Sequence, residues 1–411
     1  MAKEAGGCIY MDNNATTPLR RCALQELVTW SQCANPSSTK HALGRQAHEA
    51  VEGARRRVAK CLNVPAAGLY FTSGATEADN MAIQGVAKAY HMRTGRPGHI
   101  VCSAIEHKAC LEPCKALEAL GWRVTYVAPG PPEESGIVTA ETVQRALQRD
   151  TCLVVVMHAN NELGTLQQVG RIGALARRRK IAFHCDCAQS AGRIPGGIKP
   201  TRWGATSVAI SAHKFGGPKG AGALWLAKSC RCAPLSLGGA QEGGVRPGTE
   251  NVGGIMAMAA ALEASLRDRA ARNDHLRYMC RDEILGGFRR AGVPCVLLGT
   301  PSWAADKRLA NTLLVTFPRS PSRPRKAICN SKLVAFLDEG TPPIAVSIGS
   351  ACNTKSKHAS HVLDAIGATP EMRQGCLRIS LGDQNTPEEC HLLVQRIRDG
   401  LAKQGHVYSG V

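Results

Sequence analysis

Lys214 lies just beyond the apolar run Ser207-Val208-Ala209-Ile210, in the segment Ser211-Ala212-His213-Lys214, and Gly216 and Gly217 follow it. A lysine at a strand exit projects its amine into a cleft. Most lysines are solvated surface groups, so the weight comes from what precedes it. Asp186 closes the run 181–184, and Gln189 follows three residues on. A carboxylate buried at a strand's end faces a large desolvation cost unless a cation meets it. A protonated pyridine nitrogen would meet that need.

Phe71-Thr72-Ser73-Gly74-Ala75-Thr76-Glu77 passes from a strand through a glycine into a helix. Two readings stand. Free amides at the helix start, with the Ser73 and Thr76 hydroxyls, form an anion cradle; or those hydroxyls only cap the helix. The segment is neither a Walker loop nor Gly-x-Gly-x-x-Gly, which argues against a nucleotide. Ser347-Ile348-Gly349-Ser350-Ala351-Cys352-Asn353-Thr354 predicts an exposed loop, and exposure is what a reactive thiolate needs. An incidental surface thiol is the alternative, since the chain holds 18 cysteines. Arg378, in Cys376-Leu377-Arg378-Ile379-Ser380-Leu381-Gly382, sits in a strand-like alternation and is expected to point inward. It forks onto a structural Asp or Glu, or onto a substrate carboxylate.

The elements that must hold these residues follow from periodicity. Apolar runs at 69–71, 99–102, 124–127, 153–157, 181–184 and 207–210 alternate with helical patterns such as 77–90 and 169–179. That alternation predicts an α/β fold with a mainly parallel sheet. Glycines 216, 217, 220 and 222 close a hairpin-like turn into 223–226. A long helix is expected over 253–285, with Gly286-Gly287 as its stop. Strands at 295–298 and 311–317, a helix near 332–337 and a last helix from Pro387 suggest a smaller α+β domain.

The chain has 411 residues, 44% hydrophobic and 20% charged, which suits a folded two-domain protein. No apolar run is long enough to span a bilayer. Residues 1–7 carry no signal or organelle presequence, so a cytoplasmic protein is expected, with nuclear placement the alternative. The cysteines read as reduced thiols; Cys185/Cys187 and Cys230/Cys232 lack zinc spacing, and no metal is expected. The net charge of +19 attracts acidic partners or phosphate ligands. Its arginines are spread along helices and aromatics are 4%, so a solvated basic surface is favoured over nucleic-acid binding. The Pro/Arg-rich stretch 318–326 reads as a surface loop, or as a nuclear-import patch.

Taken together, the segments resemble the cysteine desulfurase and selenocysteine lyase family of class V aminotransferase-like enzymes. The resemblance runs in order through Tyr10-Met11-Asp12-Asn13-Asn14-Ala15-Thr16-Thr17-Pro18, Asn35-Pro36-Ser37-Ser38, the 71–77 segment, Glu106-His107-Lys108 and His158-Ala159-Asn160-Asn161-Glu162. It continues through Asp186-Cys187-Ala188-Gln189, Ser211-Ala212-His213-Lys214, Arg246-Pro247-Gly248-Thr249-Glu250-Asn251, Gly349-Ser350-Ala351-Cys352 and Arg378-Ile379-Ser380-Leu381-Gly382.

It implies pyridoxal-phosphate fold type I: a large domain at 21–261 with a seven-stranded-type sheet, and a small α+β domain from 1–20 and 262–411. It implies pyridoxal 5'-phosphate bonded to Lys214, with His107 stacked on the ring, Asp186 on its nitrogen and Gln189 on its phenolic oxygen. Ala75, Thr76, Ser211 and His213 would hold the phosphate. Asn161 would border cofactor and substrate, and Arg378 and Asn35 would hold the substrate carboxylate. Thr249 would reach the phosphate of a neighbouring subunit in a homodimer. Cys352 would take sulfur from L-cysteine for a sulfur-acceptor or scaffold protein.

The Gly-Ser-Ala-Cys form of the loop favours desulfurase over a lyase acting on L-selenocysteine. The intact Lys214, Asp186 and His107 set opposes an inactive binding scaffold. Gly243 stands where the family pattern has Arg, Ile348 replaces a serine, and 318–326 looks like an insertion.

Overall fold

Apolar runs and helical periods alternate from residue 69 onward, and a seven-stranded sheet results. The computed structural model describes residues 7–130, 136–348 and 360–408. In chain order its elements begin β1 (Ile9–Tyr10), α1 (Arg21–Thr29), α2 (Ala42–Leu62), β2 (Leu69–Thr72), α3 (Ala75–Thr94), β3 (His99–Ser103) and α4 (Lys108–Glu118). Then come β4 (Arg123–Val127), α5 (Ala140–Ala146), β5 (Thr151–Val155), α6 (Val169–Arg178), β6 (Ala182–Asp186), α7 (Pro200–Trp203), β7 (Ser207–Ser211) and β8 (Gly222–Leu226). The remainder are α8 (Val252–Leu266), α9 (Arg269–Tyr278), α10 (Gly286–Arg290), β9 (Val296–Leu297), β10 (Thr312–Thr316), α11 (Asn330–Asp338), β11 (Ile344–Ala345), α12 (His361–Ala365), α13 (Pro370–Gln374), β12 (Cys376–Ser380) and α14 (Pro387–Lys403).

The strand order is β2-β8-β7-β6-β5-β3-β4. Every pair is parallel except those made by β8, which runs against β2 and β7. The central strands are apolar on both faces because both faces are covered. Ile100, Cys102, Leu153 and Val155 pack with α3 and α4. Their alternates Val101 and Val154 join Phe183, Val208 and Ile210 in the main core, with α2, α6 and α8. Helix α8 is buried almost all round, as a helix apolar on every face must be. Fully burying one such leucine contributes roughly 1.5–3 kcal/mol.

A second core gathers Ile9 and Met11 with residues from Leu276 to Leu401. Its sheet is β12-β10-β9, antiparallel. The short parallel pair β1–β11 anchors the chain's start to it. From there residues 12–20 run to the carboxyl end of β7: Thr17 N–H donates to the His213 carbonyl (2.9 Å) and Arg20 N–H to that of Gly216 (2.9 Å).

Three expectations need correction. The helix over 253–285 is broken after α8, where Asp268 turns left-handed (φ 49°). The Gly286-Gly287 pair does not stop a helix but opens α10; a Cβ on Gly287 would stand 3.0 Å from Val394 Cγ2, so the glycine serves close packing on α14. The strand over 295–298 shrinks to β9, which pairs only at the end of β10. Stretch 318–326 connects β10 to α11 and is largely exposed, as a surface loop would be. No described helix is long and apolar enough to cross a membrane.

Candidate active site

The ends of β6 and β7, with the segments that follow β2 and β3, bring side chains to one edge, outside the carboxyl ends of the sheet, where open α/β sheets place their ligands. Strand β7 ends in Ser211, and one tight helical turn, Ala212–Lys214, brings the lysine round. Lys214 Nζ donates to the carbonyls of Asn14 (2.7 Å) and Ala15 (2.9 Å). It therefore faces the protein.

Strand β6 ends in Asp186, whose Oδ1 accepts the Ala188 N–H at 2.7 Å. Burial pushes its carboxyl up to about 6, against the lowering effects of the Ala188 hydrogen bond and the Lys214 charge. Sequence and structure agree here: the acid at 186 is buried, and the cation that tempers it is Lys214.

His107 caps α4: its Nδ1 accepts the Ala109 N–H at 3.1 Å. Burial first, and the Lys214 charge second, hold the ring down to about 4. With Nδ1 accepting, the neutral ring carries its proton on Nε2. His213 is held down to about 4 for the same two reasons, and its Nδ1 meets Thr16 Oγ1 at 3.1 Å.

Helix α3 begins without a side-chain cap at Gly74. Neither Ser73 nor Thr76 caps it, so the amides of Ala75 and Thr76 keep their donor capacity for an anion. The turn packs closely against the ends of β7 and β8. A Cβ on Gly74 would stand 3.6 Å from Ser211 Oγ, and one on Gly222 only 2.5 Å from Gly74 Cα.

These residues fit pyridoxal phosphate. An acid raised by burial suits a cationic ring nitrogen, the uncapped helix start beside Ser211 suits a phosphate, and the Lys214 charge acts on Asp186, His107 and His213.

Some candidates sit otherwise. Gln189 spends its amide on Asn14 O (Nε2, 2.9 Å) and on Arg193 Nη1 (Oε1, 3.0 Å). Arg378 is buried and pairs with Asp12 Oδ1 at 2.7 Å, while Nη1 reaches the Asn161 carbonyl at 3.3 Å. Of the two partners open to it, the protein supplies a carboxylate, although its buried Nε has no hydrogen bond among the described residues. Asn35 is exposed and accepts the Ser37 N–H (2.9 Å). Thr249 is exposed on the loop after Arg246. Cys352 lies outside the described residues; its downstream flank is tied down by Ser360 Oγ donating to Glu162 Oε2 (2.7 Å) and by His361 Nε2 against the Glu106 carbonyl (2.7 Å).

Sequence reasoning missed Asn14 and Arg193 as site residues. Asn14 lies inside the 10–18 motif, but nothing in Ala191-Gly192-Arg193 signals a buried guanidinium. It also missed the layer beneath Asp186. His184 bridges Asp79 Oδ1 (2.9 Å) and Ser207 Oγ (2.9 Å), fully buried. Asp79, Cys110 and His184 bring potential ligand atoms within 4.8 Å of one another. Neither cysteine pair singled out from the sequence contributes to that group.

The profile of the aminotransferase class-V family matches residues 9–393. A cysteine desulfurase of Dictyoglomus turgidum is 37% identical over 93% of this chain and 91% of its own. One from Methanosarcina thermophila is 36% identical over 96% and 92%. Among solved structures, a NifS-like protein aligns with TM-score 0.84 at 33% identity, covering 96% of this chain and 99% of that one. A structure described as SspA in complex with cysteine aligns with TM-score 0.75 at 32% identity, covering 92% of this chain and 100% of that one.

Proposed function

This chain belongs to the aminotransferase class-V family, among its cysteine desulfurases, and from that premise we propose that it works with pyridoxal 5'-phosphate held by Lys214 and passes cysteine sulfur to Cys352. The observation that carries the reading is the convergence of Lys214, Asp186, His107 and the uncapped start of α3 on one edge of the sheet.

Pyridoxal phosphate supplies an electron sink for the pair left behind when an amino acid loses its α-proton. Everything else falls to the protein. Asp186 stabilises positive charge on the ring nitrogen. The first amides of α3, with Ser211 and His213, hold the phosphate. His107, neutral above about pH 4, covers the ring and offers an Nε2–H donor. Lys214 would hold the cofactor and carry the substrate's α-proton. The Cys352 thiolate attacks the substrate sulfur; the S–S bond forms as the C–S bond breaks, and its electron pair stays on the substrate carbon. Protonation there leads to L-alanine and leaves a persulfide on Cys352 for an acceptor protein. Arg378, already joined to Asp12, and Asn35 take the substrate carboxylate.

Thr249, exposed in one chain, reaches the phosphate across a homodimer. Residues 21–261 form the large unit, and 1–20 with 262–411 the small one. The protein works in the cytoplasm.

The test compares alanine formation from L-cysteine and L-selenocysteine by the holoenzyme and two variants. Lys214→Ala abolishes both reactions and the borohydride-sensitive absorption of bound cofactor. Cys352→Ala abolishes the cysteine reaction. Strong preference for selenocysteine that survives Cys352→Ala would make the protein a lyase instead, and a colourless protein that cofactor cannot load would remove the reading altogether.

A further inference from the structure

Arg193 is buried, yet among the described residues none of its hydrogen bonds goes to a carboxylate. Nη1 donates to Asn14 Oδ1 (2.6 Å) and Gln189 Oε1 (3.0 Å), and Nη2 to the carbonyls of Asn13 (2.9 Å) and Lys214 (3.2 Å). Burial, with the nearby charge of Arg269, holds the guanidinium down to about 9, so it is still charged at neutral pH. A cation in such a place is costly to desolvate, and it shares the site with the Lys214 ammonium. A neutral side chain would pack there without that cost. What only the planar guanidinium supplies is a simultaneous grip on four oxygens.

Those oxygens lead to the chemistry. Asn14 uses all its polar groups. Its N–H donates to Ser380 Oγ (3.0 Å), and its Nδ2 to the Asn161 carbonyl (3.0 Å) and Thr312 Oγ1 (2.9 Å). Its carbonyl receives both Lys214 Nζ (2.7 Å) and Gln189 Nε2 (2.9 Å). Arg193 thus holds Asn14 by its side chain while Asn14 holds Lys214 and Gln189 by its carbonyl. The same hub reaches Thr312 on β10 and Ser380 on β12, so the lysine amine is referenced to both cores.

We propose that Arg193 is a positioning residue for the desulfurase reaction, setting through Asn14, Gln189 and the Lys214 carbonyl where the lysine amine meets the cofactor. This role rests on the functional reading above. A small misplacement of a reacting group lowers the rate more than it lowers binding.

Arg193→Met removes the fork and keeps an apolar stem; Arg193→Lys keeps the charge but reaches fewer oxygens. In the holoenzyme Arg193→Met lowers kcat on the order of 10- to 100-fold with a much smaller change in KM for L-cysteine, and Arg193→Lys recovers part of the loss. A second readout needs no cofactor. In cofactor-free protein, acetic anhydride labelling of Lys214, measured by mass spectrometry against the exposed Lys219 and Lys228, rises severalfold in both variants as the amine leaves the Asn14 and Ala15 carbonyls. Should Arg193→Met not fold, Arg193→Lys carries the same test.

Wild-type labelling of Lys214 in the folded variants overturns the proposal. So does a fall in kcat no larger than the fall in folded protein. Failure of the wild type to load cofactor or form alanine would instead sink the functional reading, and the labelling would still decide what Arg193 does.

Discussion

Glu106 stands next to His107, fully buried, with Met157 N–H on one carboxyl oxygen (2.7 Å). Burial pushes it up to about 8, helped by the Asp186 charge. The sign of the consequence follows. Between pH 4.5 and 8 the folded chain holds this proton and the unfolded chain has released it, so the group costs stability progressively as pH rises through that window. Glu106→Gln removes that penalty. It should therefore gain stability over the wild type as pH rises from about 4.5 to 8, by a few kcal/mol, since each tenfold change in proton affinity is worth about 1.4 kcal/mol. Denaturant unfolding of both proteins at pH 5 and pH 8 measures it; an equal difference at the two pH values would contradict it. Asp186 gives a prediction on rate. Asp186→Asn keeps the shape and the hydrogen bond from Ala188 but cannot stabilise a positive ring nitrogen, so kcat for alanine formation should fall on the order of 100-fold while the phosphate grip keeps the cofactor bound. Steady-state kinetics with a cofactor titration separates the two.

The start of α3 shows what an element contributes beyond its residues. Gly74 leaves the helix uncapped, and Gly222 on β8 lets the turn come within van der Waals reach. Gly222→Ala would place a methyl 2.5 Å from Gly74 Cα and 2.7 Å from the Ile210 carbonyl. The backbone must shift, at about 1–3 kcal/mol. Cofactor affinity should fall roughly tenfold or more, since 1.4 kcal/mol is a factor of ten, as read by equilibrium titration. Unchanged affinity would place the phosphate elsewhere. Period-2 and period-3.6 patterns made most of these elements legible: the runs ending at 71, 102, 127 and 210 match β2, β3, β4 and β7 to within a residue or two. The helix over 253–285 did not survive because an apolar period does not report a left-handed residue such as Asp268. Gly287 was misread because a glycine that stops a helix and one that admits a neighbour look alike in one dimension.

At the scale of the molecule, the site is a junction. Residues 12–20 leave the smaller core, cross the carboxyl edge of the large sheet and supply the carbonyls that hold Lys214. The proposed reach of Thr249 to a neighbouring subunit's phosphate predicts a dimer of twice the 43.7 kDa subunit in sedimentation. Thr249→Val should weaken cofactor binding without dissociating the dimer. A monomer with full activity would contradict both expectations.

The sequence by itself determined the alternation of strand and helix, and the types of the residues at the strand exits: a lysine, an acid, a histidine and a glycine turn. These are local properties, carried by neighbours within a few positions. Only the tertiary structure decided that Arg378 pairs with Asp12, that Gln189 turns to Asn14, and that Arg193 lies buried among neutral oxygens. Each of those partners is set by burial, and burial depends on how elements more than a hundred residues apart close over one another. A buried cation must take whichever oxygens that closure leaves within reach, and no spacing along the chain encodes them.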